Sequence, residues 1–271
     1  MMDWIRRLLG GSNQKAASAG STLLQTFTIE FPNGEMPLAV RAVNGTHPEA
    51  AIDALKLAQP VPTIFISGGA GLMDRESMNI TRSTVEDGLA RFLNEQQVSL
   101  IDGGTTSGVM GLMGLARHQR GYTFPLIGVA PEAVVYYPGH ENPDKIADLD
   151  AYHSHFVLTG GAEFGTESEM IINLAHALSG EGARKSLGVI INGGDIVRKE
   201  AHRVTTQSPR IPLLILEGSG RFADELAAAY RAGKSDDPVI RDILLAGTLH
   251  VVPINEGAES LRAWLTRYFA N

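Results

Sequence analysis

Short runs of consecutive apolar residues alternate along this chain with longer segments in which apolar residues recur at helical spacing. The runs are Thr63–Ser67, Val98–Asp102, Pro125–Ala130, His155–Thr159, Leu187–Asn192, Pro212–Glu217 and Thr248–Val252. Runs of this kind are typical of parallel strands that are buried on both faces of a sheet. The helical segments are Glu76–Gln96, a stretch ending near Arg120, Glu167–Leu178, a stretch ending near Thr206, Phe222–Ala232 and Ala258–Phe269. The alternation predicts an α/β fold, namely a Rossmann-like, doubly wound, mostly parallel sheet with helices on both faces.

The N-terminal part of the chain departs from this alternation. Two strand-like segments, Leu24–Phe31 and Pro37–Val43, flank Asn33-Gly34, a pair that favours tight hairpin turns. We therefore expect a β-hairpin added before the main sheet, with a short helix over Pro48–Ala58 after it. Residues 1–22 are predicted to form a separate amphipathic segment and linker, and residues 23–271 a single domain.

Residues 1–11 combine Trp4, Ile5, Leu8 and Leu9 with two arginines. Such a basic amphipathic stretch suits contact with a membrane surface or with a membrane-bound effector. Packing on the domain itself, or on the second subunit of a homodimer, is the alternative.

The overall composition narrows the classes of function. The chain has 271 residues and a formal net charge of -7, which argues against non-specific nucleic-acid binding, because such binding requires a basic face. It contains no cysteine, which excludes thiol catalysis, Cys-ligated zinc and disulfides and fits a reducing, cytoplasmic setting. No apolar run reaches the ~18–20 residues of a membrane span. Glycine is abundant, at 30 residues, and its positions carry the functional prediction.

Five of the predicted strands end in a glycine pair or in Gly-Ser-Gly. These turns are Gly68-Gly69, Gly103-Gly104, Gly160-Gly161, Gly193-Gly194 and Gly218-Ser219-Gly220. Right-handed crossovers bring the carboxyl ends of parallel strands to one edge of the sheet, where ligands of such folds bind. Backbone amides exposed by glycine, together with the positive ends of the following helices, form anion sites without basic side chains. The pattern predicts that the phosphates of a small ligand bind along this edge.

Individual residues at these turns are candidates for ligand contacts. The backbone donors and neighbouring hydroxyls are Gly68, Gly69, Ala70, Gly103, Gly104, Thr105, Thr106, Ser107, Gly108, Val109, Gly160, Gly161, Gly165, Thr166, Gly218, Ser219 and Gly220. Asp102 and Glu217 are candidates for ribose hydroxyls. Arg221 is a candidate for a phosphate, and His155 for a ribose or a base. The structural alternatives are helix capping or ion pairing for Asp102, and an i,i+4 pair with Glu225 for Arg221.

Two further expectations concern cofactors and movement. Asp102 could hold Mg²⁺, but no cofactor is required. No protein metal site is predicted, because the two histidines of the segment His153–His155 do not close one by themselves. The segment Glu132–Asp150 is long for a connection, which is typical of a lid. Its Tyr136 and Tyr137 either stack on an adenine or pack against the domain.

Several motifs, taken together and in order, resemble those of a known family. They are GGAGLMD at Gly68–Asp74, LIDGGTTSGVM at Leu100–Met110, PLIGVAPE at Pro125–Glu132, HSHFVLTGG at His153–Gly161 and PLLILEGSGRFADELA at Pro212–Ala227. They resemble the SLOG domain of TRPM channels and, more closely, its prokaryotic relatives, the LSDAT family, which is related to lysine-decarboxylase-like and LOG proteins. The resemblance covers about residues 60–230. It implies a Rossmann-like fold and a nucleotide-derived ligand, such as ADP-ribose or an NAD-related molecule, in a bacterial sensor whose lid or dimer interface shifts on binding.

The resemblance to LOG enzymes implies an alternative, enzymatic function. These enzymes carry a PGGxGTxxE motif and release the base from a nucleoside 5′-monophosphate. The loop Gly160–Glu169 is similar, with Gly165-Thr166 and Glu169 in the motif's positions, but it has two inserted residues and Thr159 in place of the proline. The arginine that LOG enzymes use upstream of the motif has no counterpart here. The alternative is thus a phosphoribohydrolase, or another ADP-ribosyl-processing hydrolase, with Glu169 as acid/base or oxocarbenium stabiliser. Binding alone is favoured.

Overall fold

The computed structural model describes residues 24–43, 45–69 and 75–270. Residues 1–22, predicted to be an amphipathic segment and linker, lie outside the described residues, as does Ala70 among the predicted ligand contacts. Over the part of the chain that is described, no helix has both the length and the apolar character needed to cross a bilayer.

Within these ranges, nine strands form one sheet in the order β1-β2-β8-β5-β4-β3-β9-β10-β11. The strands are β1 Thr26–Thr28, β2 Leu38–Ala42, β3 Thr63–Gly68, β4 Ser99–Asp102, β5 Leu126–Pro131, β8 His155–Thr159, β9 Ser186–Ile191, β10 Leu213–Glu217 and β11 Leu249–Pro253. Two short strands, β6 (Val135–Tyr136) and β7 (Ala147–Asp148), pair separately. In the large sheet β1 is antiparallel to β2, and the other neighbouring pairs are parallel. The predicted mostly parallel sheet with an added N-terminal hairpin is confirmed.

Helices cover both faces of this sheet. They are α1 Pro48–Ala54, α2 Arg75–Ser83, α3 Arg91–Gln96, α4 Gly108–Gln119, α5 Ser168–Leu178, α6 Asp195–Thr206, α7 Arg221–Ala232, α8 Pro238–Ala246 and α9 Ala258–Ala270. One face of the sheet is covered by α1, α5, α6, α7 and α8, in a core that includes Phe65. The other face is covered by α3, α4 and α9, in a core that includes Ile64. Because adjacent residues of a strand point to opposite faces, consecutive apolar residues serve both cores. The doubly wound prediction is confirmed.

The order of the strands reverses between β3 and β9. From β3 the chain builds β4, β5 and β8 on one side, and it then places β9, β10 and β11 on the other side of β3. The helical segment after β3 packs on one face of the sheet through Met78 and Val85, while α6, which follows β9, packs on the opposite face through Val197. The chain therefore leads from β3 and from β9 to opposite faces of the sheet, and a crevice opens at the carboxyl edge.

Two helical regions differ from the sequence prediction. The segment predicted as one helix over Glu76–Gln96 is continuous, but its middle, Thr84–Ala90, is a π-helix. Helix α8 is absent from the prediction, although Asp237 caps it through its side chain and Pro238 occupies its first turn. Both residue types favour a helix start at these positions, so the signal was present in the sequence.

The segment Glu132–Asp150, predicted to be a lid, packs against the β2–β8 part of the sheet through a third apolar cluster. Tyr137 is buried there with Phe156. Its hydroxyl donates to Glu132 and accepts a hydrogen bond from Nη2 of Arg41 at 3.1 Å. Tyr137 thus packs against the domain, which was the alternative to stacking on an adenine.

Candidate functional site

A crevice of about 450 Å³ opens between the carboxyl ends of β3 and β9, where the strand order reverses. Its walls come from the turns after β3, β4 and β9 and from the starts of α5, α6 and α7. Six of the predicted contacts line it, namely Gly68, Gly69, Gly103, Thr105, Ser107 and Arg221. The volume is typical of small-molecule pockets, and the position is where open α/β sheets bind ligands.

The turn after β3 and the start of α4 approach each other closely because Gly68 has no side chain. A Cβ on Gly68 would lie 2.5 Å from Cγ1 of Val109. The amide of Val109 donates to the carbonyl oxygen of Gly69 at 3.5 Å. Val109 is a predicted ligand contact, but its side chain is fully buried. It packs against Gly68, and its amide bonds to Gly69, so it connects these two walls of the crevice.

Arg221 brings a positive charge to the crevice. It is the first residue of α7, and its φ of +51° lies in the left-handed region, which residues other than glycine rarely adopt. Its guanidinium lies over the β9 turn, so that a Cβ on Gly194 would be 2.7 Å from Nη2. Among the described residues the guanidinium has no ion-pair partner. Glu225, the alternative partner considered from the sequence, instead lies 3.5 Å from Arg198.

The helix starts around the crevice differ in whether their backbone amides are available. In α7 the amides of Phe222 and Ala223 donate to carbonyl oxygens of the β9 turn at 3.4 and 3.0 Å. That turn therefore caps α7. The first-turn amides of α6, at Asp195 and Ile196, have no acceptor in the described part of the chain. The positive end of α6 is thus open to the crevice beside Arg221.

Two buried carboxyl groups, Glu167 and Glu200, line the same crevice. Glu200 accepts hydrogen bonds from the hydroxyls of Ser67 and Ser168, the latter at 2.5 Å. Glu167 accepts one from the amide of Gly165 at 2.7 Å, and no described side chain donates to it. Burial raises the pKa of both carboxyl groups, that of Glu167 to about 7 with a further rise from the charge of Glu200. Within the described ranges, no three acidic or histidine side chains come together to hold a metal ion.

Apolar side chains form another part of the crevice wall. Ile146 and Ile196 are 68% and 38% exposed, and Phe164, one of the residues inserted in the loop after β8, lines the crevice with them. Large apolar side chains left accessible in a pocket provide a surface that a flat ligand group would bury.

A chain of buried hydrogen bonds supports the turn after β4. Oδ1 of Asp102 accepts a hydrogen bond from the amide of Gly104 at 2.7 Å and lies 2.8 Å from Nε2 of His153. Nδ1 of His153 lies 2.8 Å from Oδ2 of Asp150. Burial alone would lower the pKa of His153, but the two carboxylates outweigh it and raise this pKa to about 9. Asp102, predicted to bind ribose hydroxyls or Mg²⁺, therefore holds the glycine turn and does not line the crevice.

Glu169, the candidate catalytic residue of the enzymatic alternative, is not brought to the crevice. It is exposed on α5, and its carboxylate lies 3.0 Å from Nη2 of Arg203, an ion pair that lowers its pKa. With Gly160 and Thr166 it lines a separate hollow of about 390 Å³ beside β2.

Two other predicted side chains also lie elsewhere. His155 begins β8, at the opposite end of the strand from the carboxyl edge, and burial and the charge of Arg117 lower its pKa to about 4. Glu217 ends β10, where its Oε1 lies 2.8 Å from Nε of Arg231. Also outside the crevice lining are Gly104, Thr106, Gly108, Gly161, Gly165, Gly218, Ser219 and Gly220.

The crevice also contains residues that the sequence interpretation missed, chiefly Glu167, Glu200 and Gly194. Glu200 is buried in the same face of α6 as Val197 and Ala201. An acidic residue within such an apolar stripe was the available signal in the sequence, because acidic side chains are rarely buried unless they are paired. Gly194 belongs to a glycine pair that the sequence pattern had already singled out.

Comparisons with known proteins agree with the resemblance found in the sequence. The family model described as SLOG in TRPM, prokaryote, matches residues 61–263. A transient receptor potential cation channel trpm of Drosophila melanogaster is 26% identical over 262 residues, covering 82% of this chain and 13% of that protein. For human transient receptor potential cation channel subfamily M member 7 the identity is 26% over 223 residues, covering 71% and 12%. The chain thus spans about an eighth of the length of these curated relatives. A solved structure described as the X-ray structure of TM1055 aligns with 74% of this chain and 99% of its own at 20% identity, with a TM-score of 0.49.

Proposed function

Since the chain belongs to the family described as SLOG in TRPM, prokaryote, we propose that it binds a nucleotide-derived ligand such as ADP-ribose in the crevice between β3 and β9. The observation that carries this proposal is Arg221. Its guanidinium has no ion-pair partner among the described residues and lies against the backbone of Gly194, beside the open start of α6. A cation next to unpaired helix amides favours a phosphate group.

The rest of the crevice suits the other parts of such a ligand. We propose that the base packs against the apolar side chains of Ile146, Phe164 and Ile196. The glycine turns after β3 and β4 leave room beside the phosphates at Gly68, Gly69 and Gly103, and Mg²⁺ enters, if at all, together with the phosphates.

As a sensor, the protein would transmit binding through the segment Glu132–Asp150. The amide of Thr106 donates to the carbonyl oxygen of Asp148 at 2.9 Å, and the amide of Asp150 donates to that of Gly104 at 2.9 Å. A ligand that shifts the turn after β4 would therefore shift this segment. In this proposal the protein acts in the cytoplasm, and a homodimer or an effector contacted through residues 1–11 reads the change.

Calorimetric titration with ADP-ribose at neutral pH tests the binding proposal. Arg221→Ala should weaken binding by roughly 10- to 100-fold, because a hydrogen bond to a charged group contributes about 1.5–3 kcal/mol. Arg241→Ala, an exposed arginine of α8 outside the crevice, is the matched control and should bind like the wild type. Equal affinity of wild type and Arg221→Ala, or no binding by the wild type, would contradict the proposal.

Hydrolysis of an N-glycosidic bond is a second candidate function. The observation that favours it is Glu167, whose pKa of about 7 keeps part of this buried crevice carboxyl protonated at neutral pH and able to act as a general acid. Incubation with AMP, NAD and ADP-ribose, followed by chromatography of the products, tests it. Turnover that Glu167→Gln abolishes and Glu169→Gln leaves intact would support this function, and absence of products with all three compounds would remove it.

A further inference from the structure

Glu167 and Glu200 form an acidic wall of the crevice, and this wall suits a ligand group other than phosphate. Carboxyl groups in an apolar surrounding are stable only when hydrogen-bond donors face them. Glu200 has donors in Ser67 and Ser168, but a carboxylate offers about four acceptor positions, so it can take more. Glu167 is only 5% exposed and receives no hydrogen bond from any described side chain.

The chemistry of this wall selects among ligand groups. A phosphate would be repelled by the two carboxyl groups whenever they are ionised. A metal ion lacks a third protein ligand among the described acidic and histidine side chains. A hydroxyl group fits, because it donates to an ionised carboxylate and accepts from a protonated one. Glu200 is hydrogen-bonded to Ser168, the chain neighbour of Glu167, and its charge acts on Glu167, so this pair of carboxyl groups matches a pair of vicinal hydroxyls.

Building on the proposed function, we propose that Glu167 and Glu200 bind the vicinal hydroxyls of a ribose, so that the crevice selects ribonucleotides over their 2′-deoxy counterparts. Ser67 and Ser168 act as positioning residues, because their hydroxyls hold both oxygens of Glu200. The ligand then lies with its sugar against the start of α5 and the second turn of α6, and with its phosphate towards Arg221 and the first turn of α6.

Competition against ADP-ribose by two matched pairs of compounds tests this inference. The pairs are AMP with 2′-deoxy-AMP, and ribose 5-phosphate with 2-deoxyribose 5-phosphate. In the wild type, at least one deoxy compound should bind about tenfold or more weakly than its partner, the scale of one hydrogen bond to a charged group. Glu167→Gln and Glu200→Gln should reduce this ratio below about threefold, mainly by weakening the ribo compound.

Two further variants keep the test decisive. Ser67→Ala with Ser168→Ala retains both carboxyl groups but releases Glu200, so the ratio should fall without loss of the acidic charge. Glu181→Gln, an exposed acid outside the crevice, should keep the wild-type ratio. Thermal unfolding of each variant checks that it is folded, and the serine double variant replaces Glu200→Gln if that protein does not fold.

The outcomes separate this inference from the proposed function. If ADP-ribose binds and Arg221→Ala weakens it, but neither pair shows discrimination in the wild type, only the ribose inference is wrong. Only the ribose inference is also wrong if the ratio of ribo to deoxy affinity stays at the wild-type value, for both pairs, in every crevice variant. If ADP-ribose does not bind the wild type at all, both proposals fail.

Discussion

Glu167 is a crevice residue whose protonation changes close to neutral pH. Its pKa is about 7 in the folded protein against an ordinary 4.5, so between these values the folded state holds a proton that the unfolded chain releases. The free energy of unfolding should therefore fall as pH rises through this window, by up to about 3 kcal/mol. Urea unfolding at stepped pH should show this slope in the wild type.

Replacement of Glu167 by Gln removes the titrating group and should flatten the profile between pH 4.5 and 7. Some slope should remain, because burial also raises the pKa of Glu200, whose charge acts on Glu167 in the same crevice. Glu181→Gln changes an exposed acid and should keep the wild-type slope. A Glu167→Gln profile as steep as that of the wild type would contradict the assignment.

Gly194 has no Cβ, and this allows the guanidinium of Arg221 to approach the backbone of the β9 turn. A Cβ there would lie 2.7 Å from Nη2 of Arg221, so Gly194→Ala should push the guanidinium out of place. We expect ADP-ribose affinity to fall about as far as in Arg221→Ala, with little change in the melting temperature. In a double-mutant cycle Gly194→Ala should have no further effect once Arg221 is alanine. Additive losses would show that the glycine acts independently of Arg221.

At the scale of elements, α5 shows that the loop motif and the helical pattern of the sequence indicate two different acidic residues. Glu167 and Glu169 are two positions apart, which corresponds to about 200° around a helix. Glu167, at the start of α5, lies in the crevice, whereas Glu169 is on the outer face with Arg203. The helical spacing puts Glu167 on the apolar face, four and seven positions before the buried Ile171 and Leu174, whereas the motif's glutamate position corresponds to Glu169 on the other face. The resemblance to the LOG motif therefore indicated a loop that reaches the crevice, but the motif's own glutamate position lies outside it.

The turn after β4 depends on an element-scale support, the Asp102–His153–Asp150 chain. His153 has a folded-state pKa of about 9 against an ordinary 6.5, so its contribution to stability is complete below pH 6.5 and lost as pH rises to about 9. His153→Gln should lower the free energy of unfolding at pH 7 by up to about 3–5 kcal/mol, because two buried carboxylates lose their cation. Its unfolding profile should lose most of the wild-type slope between pH 6.5 and 9, and the slope that remains near pH 7 comes from Glu167.

A neighbouring histidine provides the control for this prediction. The pKa of His155 is lowered to about 4, so it is neutral throughout the window from pH 6.5 to 9. His155→Gln should therefore keep the wild-type slope in that window. If His153→Gln keeps the slope as well, the imidazole is not the charged member of the buried chain.

At the scale of the whole molecule, the strand order decides which glycine turns can meet on one ligand. The repeated glycine pairs correctly indicated a single edge, because parallel strands with right-handed crossovers end together. The turns of Gly68-Gly69 and Gly193-Gly194 are neighbours because β3 pairs with β9. The Gly160-Gly161 turn follows β8, three strands away from β3, which is about 14 Å at ~4.8 Å per strand. Strand order results from packing over the whole chain, so no local pattern could show that this turn lies outside the crevice.

Binding of a ligand in the crevice should stabilise the whole domain against unfolding. A ligand that binds the folded state alone, at about 100 times its Kd, should raise the free energy of unfolding by about 2.7 kcal/mol. Repeated thermal-shift measurements after the addition of ADP-ribose should give a constant stabilisation if the protein only binds. A stabilisation that decays over hours in the wild type, but stays constant in Glu167→Gln, would show that the ligand is consumed. With the ligand at about 100 times the Kd of each protein, both start saturated, so the time course separates a sensor from a hydrolase even when the product has not been identified.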